Sequence, residues 1–302
     1  MPPSLDDVLP EHPSPLVARL RAAGCVFAEE EAAELLAAAT DPADLAVMVD
    51  RRVAGEPLET VLGWARFCGL RVAVEPGVFV PRQRTALLVE QAVALLRSAA
   101  GTPVVVDLCC GSGAVAFAVA AGLGPVELHA ADVDPVAVRC ARRNLEPVGG
   151  RVHQGDLYAA LPAALRGRVD LLAVNAPYVP SAAVALMPPE ARDAEPRTAL
   201  DGGPDGTVLQ RRVAAQARSW LAPGGTLLVE TSARQAPRTA AAMQAGGLRA
   251  DVVRDEERDA TVVLGTPPGR FVLGTPPGRR VSGSSRSAVT HPVTDRDGSV
   301  TP

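Results

Sequence analysis

The middle of the chain alternates between short runs of β-branched and apolar residues and longer segments with helical periodicity. The strand-like runs are Pro103–Cys110, Val126–Val133, Gly150–Asp156, Val169–Asn175 and Gly225–Thr231. Helices are predicted between them, near Gly113–Gly122, Pro135–Asn144 and Thr207–Trp220. Continuous apolar strands separated by helices are typical of a parallel sheet covered on both faces. The pattern therefore predicts an α/β fold whose ligands bind beyond the carboxyl ends of the strands.

The segments on either side of this region have a different character. Residues 14–62 carry apolar residues at helical spacing, with Ser14 and Asp41 as candidate helix caps. Residues 67–81 alternate like a short hairpin with Pro76 and Gly77 at its turn. Few apolar residues follow Gly265, which predicts a disordered tail. We expect a helical domain (1–66), a connecting β-hairpin (67–82), an α/β domain (83–265) and a low-complexity tail (266–302).

Composition and charge exclude several classes of protein. The formal net charge of −4 provides no general basic field for a nucleic-acid backbone. Five cysteines without CxxC spacing and four scattered histidines argue against a disulfide framework and against a metal site. The N-terminus lacks the pattern of a signal peptide, and no apolar run is long enough to span a membrane. We therefore expect a cytoplasmic protein without a membrane segment or bound metal, acting as a monomer.

A glycine-containing turn follows the first strand of the α/β region. Asp107 lies near the end of that strand, and the turn that precedes the next helix consists of Cys109, Cys110, Gly111, Ser112 and Gly113. Glycines allow a ligand to approach the backbone, and the start of a helix offers unpaired N–H groups. The motif indicates a nucleotide-like ligand, although its spacing also fits a dinucleotide site or a plain loop.

Acidic residues end the next two strands. Asp132 lies about twenty residues after the glycines, where a carboxylate can accept hydrogen bonds from a ribose diol. Asp134 is expected to cap the helix that begins at Pro135. Asp156 is placed to accept a hydrogen bond from an adenine amine, and Leu157 to cover the ring. These positions favour a nucleoside ligand, with ordinary turns as the alternative.

The fourth strand ends in Asn175-Ala176-Pro177-Tyr178. The side-chain oxygen of Asn175 can accept a hydrogen bond, and Pro177 restricts Ala176 to extended conformations that make its carbonyl a second acceptor. Tyr178 supplies a flat aromatic face. Two acceptors beside an aromatic face predict a cradle for a planar NH2 group, either a carboxamide or a nucleobase amine. The simpler alternative is a turn with a packed tyrosine.

From about Gly55 to Gly265 the chain resembles the class I S-adenosylmethionine-dependent methyltransferases, and most of all the release factor glutamine methyltransferases and their bacterial relatives. The similar segments are 55–90, 107–113, 132–135, 175–178 and 194–206. The resemblance implies a Rossmann-like sheet with a small N-terminal helical domain that docks the substrate. It also implies S-adenosylmethionine as cofactor. The cofactor-binding residues would be Asp107, Cys109, Cys110, Gly111, Ser112, Gly113, Asp132, Asp156, Leu157 and Asn175, and the catalytic motif Asn175, Ala176, Pro177 and Tyr178.

The chain departs from the pattern of this family at several positions. Cys109 replaces the first glycine of the cofactor loop, and Ala176 replaces the first proline of the Asn-Pro-Pro-Tyr motif. Acidic residues are usual around the position of Thr85, where this chain has Arg84 and Ala86. Alanine at position 176 keeps the backbone carbonyl, so the chemistry should survive. The changes beside Thr85 leave the identity of the substrate open.

The resemblance implies methyl transfer to the side-chain amide nitrogen of a glutamine in a protein, such as a peptide chain release factor. One alternative is a nucleic-acid methyltransferase that acts on an exocyclic base amine, which the acidic charge disfavours. Another is a non-catalytic module that binds a nucleoside or NAD, which leaves the Asn-Ala-Pro-Tyr motif unexplained. Glu190 and Glu195 lie in a proline-rich loop that is placed to cover the site.

Overall fold

A computed structural model describes residues 14–99, 101–187, 192, 194–268 and 279–280. Its N-terminal helices are α1 (Pro15–Ala22), α2 (Ala28–Ala38), α3 (Pro42–Val53) and α4 (Leu58–Leu62). The side chains of Ser14 and Asp41 accept backbone N–H groups at the starts of α1 and α3, so both predicted caps are confirmed. The apolar faces of these helices meet in one cluster that includes Leu20 and Leu35.

A buried ion pair joins two of these helices. Arg52 of α3 donates to both carboxylate oxygens of Glu31 on α2, at 2.6 Å and 3.2 Å, and to the carbonyl of Glu56. Only 8 % of the Arg52 side chain and 12 % of the Glu31 side chain are exposed. Each charge is therefore costly to bury without the other.

The hairpin forms, but its turn differs from the predicted one. Strands β1 (Trp64–Phe67) and β2 (Leu70–Ala73) pair antiparallel, with Cys68 and Gly69 between them at φ +48° and +77°. Two central residues with positive φ match the twist of a two-residue hairpin, whereas proline cannot adopt such a φ. The prediction that Pro76 and Gly77 connect the two strands was therefore wrong; they form a separate turn after β2, closed by the N–H of Val78 donating to the carbonyl of Glu75 at 3.1 Å. At the end of β2, the side chain of Asn144 accepts the N–H of Ala73 and donates to its carbonyl. These two bonds take the place that a third strand would occupy.

The main sheet contains every strand that the sequence predicts and three more. Its strands are β3 (Val104–Leu108), β4 (Glu127–Asp132), β5 (Arg151–Gln154), β6 (Val169–Val174), β7 (Leu221–Glu230), β8 (Arg249–Asp255), β9 (Ala260–Thr266) and β10 (Arg279–Arg280). The order is β10-β8-β9-β7-β6-β3-β4-β5. Neighbours from β7 to β5 are parallel, and β9 runs antiparallel to β7 and β8. This mostly parallel sheet confirms the Rossmann-like fold that the resemblance implies.

Helices cover both faces of the sheet. They are α5 (Ala86–Leu96), α6 (Ala114–Leu123), α7 (Pro135–Leu145), α8 (Arg197–Leu200), α9 (Val208–Trp220) and α10 (Ala236–Ala245). Alternate residues of β3 belong to different apolar clusters: Val105 packs with α5 and α6, while Val106 packs with α9 and α10. Because side chains alternate across a strand, a strand buried on both faces needs a continuous apolar run. That requirement explains the sequence of β3.

The strand order places the two main motifs side by side. The chain passes from β3 outward through β4 to β5, and then returns to add β6 on the other side of β3. The carboxyl ends of β3 and β6 therefore border the crevice at which parallel α/β sheets bind ligands. Residues 109–113 follow β3 and residues 175–178 follow β6.

The ends of the chain contribute less to this picture. Most of the tail from residue 266 lies outside the described residues, but Arg279–Arg280 pairs antiparallel with β8. Among the helices that the structure describes, none is long and apolar enough to cross a membrane. The division of the chain into domains stays a prediction.

Replacing Arg52 with alanine should lower the free energy of unfolding by about 3–5 kcal/mol, because Glu31 would keep a buried charge without its partner. Urea titration followed by circular dichroism measures this change. Arg19→Ala provides the matched control, because Arg19 pairs with Asp50 where both side chains are about half exposed or more. That loss should stay below about 1 kcal/mol. Equal losses in the two variants would contradict the role given to the buried pair.

Candidate active site

A cavity of about 180 Å³ opens at the carboxyl ends of β3, β4 and β6. It is lined by twelve of the thirteen predicted site residues: Asp107, Cys109, Cys110, Gly111, Ser112, Asp132, Asp156, Leu157, Asn175, Ala176, Pro177 and Tyr178. Other lining residues include several from the segments 77–85 and 195–200. Gly113 is the exception, since it does not line the cavity. The structure thus brings the predicted cofactor loop and the predicted catalytic motif to one cavity.

The loop after β3 turns sharply through residues with positive φ. Cys109 has φ +58°, Gly111 +54° and Gly113 +76°. A Cβ atom on Gly113 would lie 3.0 Å from the side chain of Leu145, so this glycine permits close packing of α6 against α7. A Cβ atom on Gly111 would meet no atom within 4 Å. Gly111 therefore leaves open space on the side of the cavity that it lines.

Cys109 adopts a conformation that favours glycine. A left-handed residue with a side chain costs roughly 1–2 kcal/mol relative to the usual backbone regions. The family pattern has glycine at this position, so the departure keeps the loop geometry at a cost in backbone energy. Burial, together with the Asp107 and Asp132 carboxylates, raises the pKa of both Cys109 and Cys110. Both thiols are therefore held in the protonated form.

Asp132 organises the loop as well as facing the cavity. Its carboxylate accepts the N–H of Gly111 at 2.9 Å and the N–H of Asp134 at 3.0 Å. Asp134 accepts the N–H of Val136 and caps α7, as predicted. Burial raises the pKa of Asp132, while the backbone donors oppose that shift. Each carboxylate oxygen retains acceptor capacity toward the cavity.

The third predicted acidic position is partly engaged elsewhere. Asp156 follows β5 and accepts a hydrogen bond from Arg212 of α9 at 2.5 Å. Leu157, at φ +50°, is buried and lines the cavity beside it. The predicted contact between Asp156 and an adenine amine would share the carboxylate with Arg212.

The carboxamide of Asn175 is oriented by a residue from another segment. Its Nδ2 atom donates to Oγ1 of Thr85 at 3.3 Å. Thr85 is buried just before α5, and its hydroxyl is close enough to the carboxylate of Glu230 to lower the pKa of that group. With Nδ2 committed to Thr85, the Oδ1 atom of Asn175 is the atom left to accept a hydrogen bond in the cavity.

Glu230, which was not predicted as a site residue, accepts a hydrogen bond from Tyr178 of the Asn-Ala-Pro-Tyr motif. It ends β7, the strand next to β6, and only 2 % of the residue is exposed. Its Oε1 atom accepts the hydroxyl of Tyr178 at 3.4 Å and lies 3.7 Å from Nε of Arg84. Burial raises the pKa of Glu230, and Thr85, Arg84 and Tyr178 oppose the shift. The signal in the sequence that could have indicated this site residue is an acidic residue at the end of an apolar strand.

The segment 194–206 holds the backbone of the motif in place. The N–H of Val179 donates to Leu200 at 3.0 Å, and the N–H of Gly202 returns to Val179 at 2.8 Å. The carbonyl of Tyr178 accepts the side-chain amide of Gln235 at 2.8 Å. A Cβ atom on Gly202 would lie 2.6 Å from the carbonyl oxygen of Pro177, and one on Gly206 would collide with the carbonyl of Tyr178. These glycines allow two loops to pack backbone against backbone.

Glu195 occupies the opposite wall of the cavity. Its Oε1 atom accepts the N–H of Val80 at 3.1 Å and Nη2 of Arg82 at 2.8 Å. Burial raises the pKa of Glu195, and Arg82 opposes this shift. Its Oε2 atom is buried without a hydrogen-bond partner among the described residues. Glu190, the other acid of this predicted loop, lies outside the described residues.

Comparison with known proteins identifies the family. The Methyltransferase small domain family matches residues 69–188. The chain is 40 % identical over 201 residues to the release factor glutamine methyltransferase of Geobacter sulfurreducens, covering 65 % of this chain and 69 % of that protein. It is 34 % identical over 256 residues to the enzyme of the same name from Bradyrhizobium diazoefficiens, covering 78 % and 86 %. The chain belongs to the release factor glutamine methyltransferase family. It is a class I methyltransferase that depends on S-adenosylmethionine.

A further relative has a different substrate in its name. The chain is 37 % identical over 203 residues to the 4-amino-L-phenylalanine/4-methylamino-L-phenylalanine methyltransferase of Streptomyces pristinaespiralis. The match covers 66 % of this chain and 69 % of that enzyme. Similarity of this degree therefore extends to an enzyme named for a free amino acid.

The residues of the cavity are suited to bind S-adenosylmethionine. Gly111 leaves room for a ligand against the backbone, since a Cβ atom there would point into open space. Asp132 keeps acceptor capacity for hydroxyl groups, and Leu157 gives the cavity a buried apolar wall. The residues that would hold the cofactor therefore include these three.

Gly206→Ala should reduce methyl transfer by roughly 100-fold, because a Cβ atom at this position would displace the backbone of Tyr178 and thereby the substrate cradle. Initial rates with radiolabelled S-adenosylmethionine measure the change. Gly149→Ala is the matched control, since Gly149 has a similar φ of +78° but no atom within 4 Å of a Cβ. Equal losses of activity in both variants would show that strain alone, and not displacement of Tyr178, causes the effect.

Burial raises the pKa of Asp107 to about 7, although the N–H of Ala116 donates to its carboxylate. The folded state therefore holds this proton more tightly than the unfolded chain. The stability of the wild type relative to Asp107→Asn should be greatest below about pH 4 and should fall, by on the order of a few kcal/mol, as the pH rises through 7. Urea titrations at several pH values test this dependence.

Asp205→Asn should give the opposite trend. The hydrogen bonds from Arg211 and Thr207 lower the pKa of Asp205. The advantage of the wild type over this variant should be present above about pH 4 and lost as the pH falls. For Asp107, plots of unfolding free energy against pH that run parallel for the wild type and Asp107→Asn would contradict the raised pKa.

Proposed function

We propose that this chain transfers a methyl group from S-adenosylmethionine to the side-chain amide nitrogen of a glutamine in a protein, such as a peptide chain release factor. The observation that carries this proposal is the orientation of Asn175. One N–H of Nδ2 donates to Thr85, which orients the carboxamide, and Oδ1 can accept a hydrogen bond in the cavity. An acceptor in this place suits an incoming hydrogen-bond donor such as an NH2 group rather than a carbonyl oxygen.

The residues of the motif would position the substrate nitrogen. Bound S-adenosylmethionine supplies a methyl group attached to a positively charged sulfur. Oδ1 of Asn175 and the carbonyl of Ala176 would accept the two hydrogens of the substrate amide. This arrangement fixes the plane of the NH2 group and directs the nitrogen toward the cofactor side of the cavity. Both acceptors would stabilise the positive charge that develops on nitrogen as its bond to the methyl carbon forms and the bond from that carbon to sulfur breaks, the electron pair staying on sulfur as a neutral thioether.

Positioning can supply most of the rate enhancement without a strong base. Burial raises the pKa of Tyr178, so its phenol stays neutral and donates to Glu230. Glu195 is engaged by Arg82 and Val80. Correct orientation of two reacting groups contributes roughly 7–11 kcal/mol. The proton can therefore leave the nitrogen after methyl transfer rather than before it.

The N-terminal helices are proposed to dock the protein substrate, as the family resemblance implies. Val26, Phe27 and Val47 expose apolar side chains on this part of the chain. We also propose that the enzyme works in the cytoplasm as a monomer, where its protein substrate would be synthesised. The formal net charge of −4 favours a protein over a nucleic acid as the partner.

A second candidate function is N-methylation of a free amino acid that carries an aromatic amine. One observation favours it: the Streptomyces pristinaespiralis relative named for 4-amino-L-phenylalanine is 37 % identical to this chain. The cradle of Asn175 and Ala176 would hold an aryl NH2 as it holds an amide NH2. Both candidates therefore use the same chemistry at nitrogen and differ in the rest of the substrate.

Asn175→Ala should reduce kcat for methyl transfer by roughly 100- to 1000-fold, because the substrate nitrogen loses its side-chain acceptor. The dissociation constant for S-adenosylmethionine, measured by calorimetry, should change less than about tenfold, a loss of 1.4 kcal/mol. Gln216→Ala removes an exposed amide elsewhere and provides the control. An Asn175→Ala enzyme with normal turnover would disprove the role proposed for this residue.

The substrate class can be identified in a cell lysate supplied with radiolabelled S-adenosylmethionine. Label that protease releases, with a gain of one methyl group on a glutamine by mass spectrometry, supports the proposed function. Label in the small-molecule fraction supports the second candidate. Label that only nuclease releases would overturn both.

A further inference from the structure

Arg84 is a cation at the cavity that methyl transfer, as proposed above, does not use. It lines the cavity, and 41 % of its side chain is exposed. The centre of its guanidinium group lies 5.8 Å from the centre of the Tyr178 ring. The charge is therefore beside the aromatic face of the proposed substrate cradle.

The hydrogen-bond donors of Arg84 are not used by the residues that the structure describes. Nε lies 3.7 Å from Oε1 of Glu230, which is an ion-pair distance but too long for a hydrogen bond. The neighbouring Arg82 is different, because its Nη2 atom donates to Glu195 at 2.8 Å. Of these two arginines at the cavity, Arg84 is the one with donors available to a ligand.

The position of Arg84 along the chain fixes its relation to the cradle. Thr85, the next residue, accepts the hydrogen bond that orients Asn175. A group held by Arg84 would therefore lie close to the NH2 group held by Asn175. Glu230 faces Nε of Arg84 from the protein interior, since only 3 % of its side chain is exposed, whereas 41 % of the Arg84 side chain is exposed.

We propose that Arg84 binds a carboxylate of the substrate and thereby selects substrates that carry a negative charge near the methylated nitrogen. A guanidinium group presents its N–H donors in a planar fork that matches a carboxylate. This inference rests on the proposed methyl transfer to an NH2 group. The carboxylate can come from a free amino acid or from an acidic side chain near the glutamine of a protein.

Two pairs of probes distinguish these sources. The first pair is 4-amino-L-phenylalanine and 4-(2-aminoethyl)aniline, which keeps the ring amine but lacks the carboxylate. The second pair is a glutamine peptide with a neighbouring glutamate and the same peptide with methionine in place of that glutamate, which removes the charge without adding a second side-chain amide. The measured quantity is the ratio of kcat/KM between the acidic and the neutral member of each pair. For the wild type, the ratio should be about 10- to 100-fold in the pair that matches the natural source.

Variants of Arg84 then test whether this residue produces the ratio. Arg84→Gln should reduce it to about 1–2, Arg84→Lys should retain part of it, and Arg84→Glu should reverse the preference. Arg139→Gln removes an equal charge from α7, where Arg139 pairs with Glu75 and does not line the cavity, so the ratio should not change. Calorimetry with S-adenosylmethionine and circular dichroism verify that each variant is folded.

The outcomes separate this inference from the proposed function. Methylation of both members of each pair at equal rates by the wild type would overturn the role of Arg84 and leave methyl transfer to an NH2 group in place. A wild-type preference that Arg84→Gln keeps in full would also overturn it. Binding of S-adenosylmethionine without methylation of any probe or lysate component would overturn the proposed function, and the inference with it.

Discussion

The site depends on one buried carboxylate. Glu230 ends the strand next to the proposed catalytic motif, accepts the hydroxyl of Tyr178 and lies close to the hydroxyl of Thr85, so it connects two parts of the proposed cradle. Thr85 in turn accepts the hydrogen bond that orients the side chain of Asn175. A buried charge needs a partner, and Arg84 provides the nearest cation at 3.7 Å. The arginine that departs from the family pattern is therefore also part of the electrostatic balance of the site.

Local sequence patterns predicted the strands and loops whose structure is determined mainly by residues adjacent in the chain. The apolar runs gave the parallel strands, and the residues that follow β3 and β6 meet because the strand order places those ends together. Glu230 and Thr85 were not recognised as site residues, since they lie far from Asn175 in sequence and only the fold joins them. The strands β8, β9 and β10, which form the antiparallel edge of the sheet, were not predicted from the sequence. The hairpin turn was misplaced because a cysteine adopts a conformation usual for glycine.

The departures from the family pattern are explained by different physical reasons. Ala176 is buried and still contributes the backbone carbonyl that proline would have contributed. Cys109 keeps the left-handed geometry of the loop, at φ +58°. Both preserve the backbone while changing the side chain. Arg84 differs, because it changes the charge of a group that lines the cavity. The first two substitutions therefore keep the backbone geometry of the site, whereas the third is the one proposed to select the substrate.

The two adjacent thiols of the cofactor loop have a practical consequence. Their raised pKa values keep Cys109 and Cys110 protonated while the loop is packed against Asp107 and Asp132. Alkylating reagents react with the thiolate, so both thiols should react slowly. Cys109 lines the cavity and is partly exposed, so a reagent in solution can reach it and a bound ligand would cover it. The rate of alkylation at this native position thus reports how much of the cavity is filled, without any engineered label.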